Sequence, residues 1–104
     1  MSRYLIGITE PAEEDLRQIG KYITKEFLSP VTAKEVINKI GNEILRLEIM
    51  PLRNAIVPDE RLTLLGIRKI IVDNYLVFYI VEESSRIVTV IRILYKRRNW
   101  LSLL

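Results

Sequence analysis

The run from Tyr75 to Val81 constrains the fold more than any other part of the chain, because all seven of its residues are apolar. Aromatic and β-branched residues dominate the run, and these residue types favour extended strands. A strand with one side in water alternates apolar and polar residues, whereas this segment has no polar side. We therefore predict a central strand whose two faces are both covered, either by this chain alone or on one side by a partner.

Two further strands flank this run. Ile67–Val72 precedes it across Asp73-Asn74, a pair that fits a two-residue hairpin turn. Residues 83–86 turn the chain again, and Ile87–Leu94 follows as another strand. The C-terminal part of the chain is therefore predicted to form a three-strand meander.

The N-terminal half changes to a helical period. A short strand, Tyr4–Thr9, comes first. Thr9 then serves as the N-cap of a first amphipathic helix with one apolar stripe. Ser29-Pro30 starts a second such helix, whose stripe stops before Pro51. Residues 52–64 are interpreted as an irregular connection. The first stripe comprises Ala12, Leu16, Ile19, Ile23 and Phe27, and the second comprises Ala33, Val36, Ile37, Ile40, Ile44 and Leu47.

This order predicts the fold class. Strand, helix, helix and three-strand meander make an α+β domain, with a small antiparallel-rich sheet and an αα-hairpin on one sheet face. A length of 104 residues fits a single domain over residues 1–104. No apolar run approaches the roughly 20 residues of a membrane span, and the N-terminal apolar run is too short for a secretory signal. We expect a cytoplasmic protein that does not contact membranes.

The chain contains no cysteine and no histidine. Their absence excludes disulfides, thiol nucleophiles, zinc sites with Cys or His ligands, and Ser/His or Cys/His triads. The acids Glu13, Glu14 and Asp15 are explained by the positive end of the first helix, and the other acids form no cluster. We expect neither a metal nor a cofactor, so any catalysis must use Arg, Lys, Tyr, Ser, Thr or carboxylates.

The positive charge is concentrated at the C-terminus. The net charge is +3, yet residues 92–104 carry four basic residues and no acid, while residues 1–91 carry 12 basic and 13 acidic residues. A basic end of this kind attracts nucleic-acid phosphates or an acidic partner, or is simply a solvated charge run. The four basic residues are Arg92, Lys96, Arg97 and Arg98.

Aromatic residues lie beside these bases. Tyr95 and Trp100 offer planes on which an unstacked base can rest, although packed aromatics beside solvated bases give the same pattern. Strand alternation places Arg92 on the same face as Val90 and Leu94. Arg68 and Lys69 alternate on the first meander strand, and in a compact sheet one of them can share a surface with Arg92 and the Tyr95–Arg98 cluster.

Motifs in five segments, taken in their order and spacing, carry a resemblance to a known family over nearly the whole chain. They are Tyr4–Thr9, Pro11–Leu16 with Ile19 and Tyr22-Ile23, Pro30–Pro51 with Leu47, Gly66–Lys69 leading into Tyr75-x-x-x-Tyr79-x-Val81, and Val90–Tyr95 followed by Arg98-Asn99-Trp100. In this order they resemble the RelE/ParE superfamily of toxins from bacterial type II toxin–antitoxin systems.

The resemblance implies a growth-inhibiting toxin that is neutralised by a cognate acidic antitoxin. RelE-like members cleave mRNA at the ribosome by attack of a ribose 2′-oxygen on its own phosphodiester, using Lys, Arg and often Tyr without a metal. ParE-like members share the fold and poison DNA gyrase without demonstrated nuclease chemistry. Our first hypothesis is a ribosome-dependent mRNA endonuclease, and the alternatives are a gyrase poison or a non-toxic homologue that only binds its antitoxin.

The resemblance also assigns roles to site residues. Arg68 and Lys69 fall at basic positions, Arg97 or Arg98 falls at a phosphate-binding position, and Tyr95 falls where a stacking or proton-transferring side chain is expected. Lys96 and Trp100 are predicted nucleic-acid contacts. One departure stands out, because many active members have Tyr-Arg where this chain has Tyr75-Leu76. Loss of that guanidinium removes about 3 kcal/mol of transition-state stabilisation from such a site unless Arg92 compensates.

The last leucines have two interpretations. Leu101, Leu103 and Leu104 either close the core or contact the antitoxin. A basic patch beside exposed apolar surface suits an acidic amphipathic segment that folds on binding.

Overall fold

A computed structural model describes residues 3–104, and Met1 and Ser2 lie outside the described residues. Four strands form one sheet: β1 (Leu5–Ile8), β2 (Arg68–Val72), β3 (Tyr75–Glu82) and β4 (Ile87–Tyr95). The helices are α1 (Glu10–Phe27), α2 (Pro30–Leu45) and α3 (Glu60–Leu64), and single 3₁₀ turns cover Arg46–Glu48, Pro51–Arg53 and Trp100–Leu103. The sheet order is β1-β4-β3-β2, in which β1 runs parallel to β4 and the other pairs are antiparallel.

This architecture confirms the predicted α+β fold, the opening strand and the C-terminal meander. Val72 pairs with Tyr75, so Asp73-Asn74 is the two-residue hairpin turn that was expected. Within residues 3–104, no helix is both long and apolar enough to cross a bilayer.

Side-chain caps start the two long helices where the sequence indicated. The Thr9 hydroxyl accepts a hydrogen bond from the Ala12 amide at 3.2 Å, and the Ser29 hydroxyl accepts one from the Thr32 amide at 3.1 Å. A proline occupies the first turn in each case, where its missing N–H has no helical partner to lose. The two helices form the predicted αα-hairpin.

The hairpin buries its apolar stripes against one face of the sheet. We call this cluster the helical core. Its helix residues come from the two predicted stripes, and its strand residues include every second position of β3 from Tyr75 to Tyr79. The buried members are Ala12, Ile19, Ile23, Ala33, Ile40, Ile44, Leu47, Val72, Tyr75, Val77, Tyr79, Val88, Val90 and Ile93.

The opposite sheet face is also covered by this chain, by a cluster that we call the second core. Residues 52–64 were predicted to be irregular, and this prediction is wrong in part. The 3₁₀ turn Pro51–Arg53 extends into them, and they contain the short helix α3, whose Leu62 amide donates to the capping Asp59 carboxylate at 3.1 Å. The prediction failed because five residues are too few to display a helical period. The second core contains Val57, Leu62, Ile67, Leu76, Phe78 and Leu94, with Ile80, Ile91, Trp100, Leu103 and Leu104 packed against them.

A β-bulge in strand β4 changes which of its residues face each core. Phe78 pairs with Arg92 while the next residue, Tyr79, pairs with Val90, so one residue of β4 is skipped. Val90 consequently packs in the helical core and Leu94 in the second core. The prediction that Val90, Arg92 and Leu94 share one face is therefore wrong, because strict alternation does not anticipate an inserted residue.

Candidate functional site

Lys69 lies on the second core rather than in an open cleft. Its ammonium sits 5.4 Å from the centre of the Trp100 ring, and that ring packs on Phe78 with centroids 5.1 Å apart. An ammonium over an indole face is attracted by the ring quadrupole. The C-terminal segment therefore covers the part of the sheet from which Lys69 projects.

Leu76 is buried in the same core, at 5% exposure, and pairs across the sheet with Leu94. The resemblance to RelE-like toxins implied a guanidinium at this position. Here the position is filled by an apolar side chain that supports Phe78 and Leu94 in one cluster.

Strand β1 pairs with β4 only as far as Val90. Arg92 lies just beyond this point, where, within residues 3–104, that edge of β4 has no neighbouring strand. Its Nε and Nη2 donate to the two carboxylate oxygens of Asp15 at 2.7 and 2.8 Å, and its Nη1 donates to the Leu103 carbonyl at 3.4 Å. The hydrogen bonds that Arg92 donates to Asp15 raise the pKa of Arg92, and the charge of Asp15 acts in the same direction against the effect of burial. The guanidinium thus ties α1 to the sheet and to the C-terminal segment.

Asp15 also accepts a hydrogen bond from the Ile93 amide at 2.9 Å. Its side chain is 10% exposed, so the helix-start explanation given for this acid is incomplete. A signal in the sequence could have found it: Asp15 is three residues after Ala12 and four before Ile19, which places an acid within the buried stripe.

Arg68 binds the main chain of the segment before α3. Its Nη1 donates to the Leu52 carbonyl at 3.1 Å and also to the Asn54 carbonyl. The Tyr79 hydroxyl donates to the Pro51 carbonyl at 2.6 Å in the same region. As predicted, Arg68 and Lys69 project to opposite faces, and Arg68 is thereby separated from Trp100 and the second core.

Tyr95 and Arg98 line a separate cleft of about 1040 Å³ between α1, α2 and the end of the meander. Tyr95 is 40% exposed and meets Tyr75 edge-on with ring centroids 5.9 Å apart. Burial raises the pKa of Tyr75, with smaller contributions from Tyr22 and Tyr95. The other residues that line the cleft are Asp15, Gln18, Ile19, Tyr22, Ile23, Phe27, Thr32, Val36, Asp73, Asn74, Tyr75, Arg92 and Ile93.

Lys96 and Arg97 are exposed beyond the end of β4. The Lys96 amide donates to the Asn74 carbonyl at 2.8 Å, which anchors the main chain there. Within residues 3–104, the side chains of Lys96, Arg97 and Arg98 form no ion pair. The same described part of the chain has no cluster of three or more carboxylates placed to hold a metal ion.

The structure therefore distributes the predicted site residues over different surroundings. Lys69 and Trp100 lie on the second core, and Arg92, bound to Asp15, lines the same cleft as Tyr95 and Arg98. Arg68 is bound to main-chain carbonyls, and Tyr95 and Arg98 open into the cleft. Of the other residues that line the cleft, sequence analysis assigned none to a site; they include Asp15, Tyr22 and Phe27.

The family is identified by sequence. The sequence model described as "ParE toxin of type II toxin-antitoxin system, parDE" matches residues 6–100. A search of curated proteins finds no significant match.

Chains from solved structures of toxin–antitoxin systems share the fold at low identity. A chain of a chromosomal ParDE toxin–antitoxin system from Pseudomonas aeruginosa superposes with a TM-score of 0.73 at 18% identity, covering 89% of this chain and 96% of that one. A chain of the RelBE2 toxin–antitoxin complex from Mycobacterium tuberculosis gives 0.68 at 18% identity, covering 94% and 97%. The isolated RelE toxin from Escherichia coli gives 0.55 at 19% identity, covering 96% and 92%. The chain belongs to the ParE toxin family of type II toxin–antitoxin systems.

Proposed function

We propose that this toxin arrests growth by poisoning DNA gyrase, as ParE-like toxins do, and that it does not itself cleave RNA. The observation that carries the proposal is the second core. Leu76 and Trp100 fill the sheet face beside Lys69, where a cleft for an RNA phosphate would have to open. Because gyrase is a cytoplasmic enzyme, we place the action of the toxin in the cytoplasm.

Metal-free cleavage makes demands that this arrangement does not favour. A 2′-oxygen attack needs a proton acceptor, a proton donor and fixed positive charge around one phosphate. Arg68 is held by two carbonyls and Arg92 by a carboxylate, so turning either toward a phosphate breaks existing hydrogen bonds. The match of residues 6–100 to the ParE toxin family supports the same choice of target.

A cognate antitoxin is the expected partner. The structural relatives include chains from ParDE and RelBE toxin–antitoxin systems. Within residues 3–104, the cations Lys96, Arg97 and Arg98 form no ion pair. We propose that an acidic, partly apolar segment of the antitoxin binds beside Lys96, Arg97 and Arg98, where opposite charge guides association.

The experiment is a supercoiling assay with purified DNA gyrase and the toxin made by cell-free synthesis. The proposal predicts that added toxin inhibits supercoiling and that cleaved DNA accumulates when the reaction is stopped with detergent. Normal supercoiling at toxin concentrations well above those of the enzyme would refute it. Boiled toxin at the same concentration is the control.

The second candidate function, a ribosome-dependent endonuclease, is favoured by one observation. Tyr95 and Arg98 line an open cleft, and Lys96 and Arg97 follow the same strand end with their side chains in solvent. Under this alternative, Arg98→Ala and Tyr95→Phe relieve growth arrest and restore intact transcripts together. If Arg98→Ala and Tyr95→Phe relieve growth arrest but the wild-type toxin leaves transcripts intact, the gyrase proposal is favoured instead.

A further inference from the structure

A second groove, of about 580 Å³, opens between α1 and α2. Every residue that lines it belongs to one of these two helices, and it shares no residue with the cleft that holds Tyr95 and Arg98. Its floor is half-buried and consists of Leu16, Gly20 and Ile37. The exposed bases on its wall are Arg17, Lys21 and Lys25. We call these six residues the outer groove.

Gly20 keeps the outer groove open although the fold does not require a glycine there. Glycine is among the least favourable residues in a helix interior. The nearest atom that an added Cβ would meet is Cγ1 of Ile37, at 3.9 Å, which is an ordinary van der Waals contact. An alanine would therefore fit and would favour the helix. A residue that breaks a local rule without a folding gain is expected where binding requires it.

The exposed face of α1 carries its charges in two blocks. The acidic block comes first and the basic block follows, so opposite charges occupy opposite halves of one face. The helix dipole explains charges in the first and last turns, but Arg17 and Lys21 lie between those turns. The acidic block is Glu10, Glu13 and Glu14, and the basic block is Arg17, Lys21 and Lys25.

Most of these charges have no partner in their own chain. Arg17 pairs with Glu14 at 2.7 Å. Within residues 3–104, the other four members of the two blocks form no ion pair. Both blocks therefore present charge that another chain can neutralise.

We propose that the outer groove is the interface of a toxin homodimer, in which α1 of a second copy lies antiparallel to α1 of the first. A two-fold axis at the middle of the charged face places Glu10 opposite Lys25 and Glu14 opposite Lys21, and the symmetry repeats both pairs. An acidic segment would be repelled by the acidic block, and a basic segment by the basic block. A reversed copy of the same face matches both blocks, so charge complementarity selects a second copy.

The floor and the charges have different roles in this dimer. Exposed ion pairs contribute little free energy by themselves, so burial of Leu16 and Ile37 supplies the attraction and the charges fix the direction of the helices. The missing side chain of Gly20 lets the two helices approach closely. We therefore expect a weak dimer that forms as the toxin concentration rises and dissociates in high salt.

Two charge reversals test the pairing by sedimentation velocity over a concentration series. Lys21→Glu places two acids opposite each other at both symmetric positions, and Glu14→Lys places two bases there. Each variant alone should raise the dissociation constant of the dimer by about tenfold or more. An equimolar mixture of the two should associate again, because each acidic position then meets a basic one. Lys96→Glu, which makes the same change of charge beyond β4, is the matched control and should keep the wild-type dimer.

Gly20→Leu tests the groove without changing the charge. The added side chain fills the groove from α1 and suits a helix better than glycine, so the melting temperature should not fall. The dimer should nevertheless be lost. Circular dichroism checks that all variants keep the helix content of the wild type.

The remaining outcomes overturn the proposal. A wild-type toxin that stays monomeric throughout the series does so, and so does a mixture that associates no better than either variant alone. A dimer that survives Gly20→Leu shows that another surface joins the copies. If the wild type is monomeric and Lys21→Glu toxin escapes neutralisation by co-expressed antitoxin, the groove receives the antitoxin instead. Inhibition of gyrase is a separate measurement, so failure of that proposal leaves the dimer standing.

Discussion

The two faces of the sheet are covered in different ways. The helical core lies under helices of 18 and 16 residues that begin at side-chain caps and carry continuous apolar stripes. The second core lies under a helix of five residues and a 3₁₀ turn of four residues, and none of the residues in that turn is buried. Most of the regular structure outside the sheet therefore covers one face, and short segments cover the other.

Strand β3 shows what this difference means for function. Val77 and Tyr79 point into the helical core, while Leu76 and Phe78 between them point into the second core. Short segments can be repacked without altering the long helices, so the second face is the one that can change at lower cost to the fold. In this chain the second face holds apolar side chains at the positions next to Lys69. We propose that this apolar cover is the reason why the toxin acts on gyrase rather than on RNA.

The largest effect is expected from placing an arginine in the second core. Leu76→Arg introduces the arginine that the resemblance to RelE-like toxins implied, but the guanidinium enters a site that is 5% exposed and lined by apolar groups. An unpaired buried charge costs about 3–5 kcal/mol, so the free energy of unfolding should fall by that amount in urea titrations, with no gain of RNA cleavage. Leu64→Arg, at an exposed leucine, should leave stability nearly unchanged. A stable Leu76→Arg protein that cleaves mRNA on ribosomes would break the comparison.

Truncation in the helical core is expected to destabilise the whole domain. Ile40 is completely buried between α2 and the sheet, and Ile40→Ala should cost about 3 kcal/mol through lost transfer free energy and a cavity. Trp100→Ala removes a half-buried ring from the second core and should cost about 1–2 kcal/mol, since only part of the ring leaves water on folding. Hydrogen exchange sharpens the contrast: Ile40→Ala accelerates exchange throughout the sheet, whereas Trp100→Ala accelerates it mainly after residue 99. Uniform acceleration in both variants would show that the two cores unfold together.

A smaller loss is expected where α1 joins the open edge of β4. Asp15→Asn weakens the contacts to Arg92 and the Ile93 amide and leaves a partly buried guanidinium without its counter-ion. Hydrogen bonds to charged groups contribute about 1.5–3 kcal/mol, so we expect a loss of about 2 kcal/mol at pH 7. Glu14→Gln, next to it on the exposed side of α1, is the control and should barely change the midpoint of unfolding. Equal effects of the two changes would contradict the structural role of Asp15.

The smallest effect concerns alkaline pH. Burial raises the pKa of Tyr79 above the ordinary tyrosine value, and hydrogen bonding by Asn54 only partly opposes it. The unfolded chain therefore releases this proton first, so stability is full below a pH of about 10 and falls as the pH rises from there through the folded-state pKa. Tyr79→Phe loses about 1 kcal/mol at pH 7 with its hydroxyl hydrogen bonds, and its stability should depend less on pH above 10. An unchanged alkaline slope in the variant would refute the assignment to Tyr79.

Local sequence signals explain why most of the fold could be predicted. Thr9 and Ser29 fix the helix starts through their hydroxyls, Asp73-Asn74 fixes the hairpin, and the apolar strand from Tyr75 required cover on both faces. The helix α3 was not predictable, because five residues are too few to display a helical period and its burial comes from residues distant in sequence. Tertiary contacts also determine which of the predicted site residues lie close together in the folded chain.

The candidate site was less predictable than the fold. Adjacent positions such as Arg68 and Lys69 reach different surroundings, and the bulge between Val90 and Arg92 depends on the pairing with β3. Leu103 and Leu104 pack in the second core, as one of the two interpretations expected, while Leu101 remains 41% exposed. Charge and residue type identified the basic end, but the directions of its side chains depend on the folded sheet.

The most direct test of the central claim is mapping of mRNA ends in cells that have just been arrested by the toxin. The covered sheet face and the paired arginines predict intact coding sequences while growth has stopped and supercoiling of a reporter plasmid has changed. New 5′ ends within translated codons, absent after induction of an Arg98→Ala variant, would contradict the claim and establish RNA cleavage.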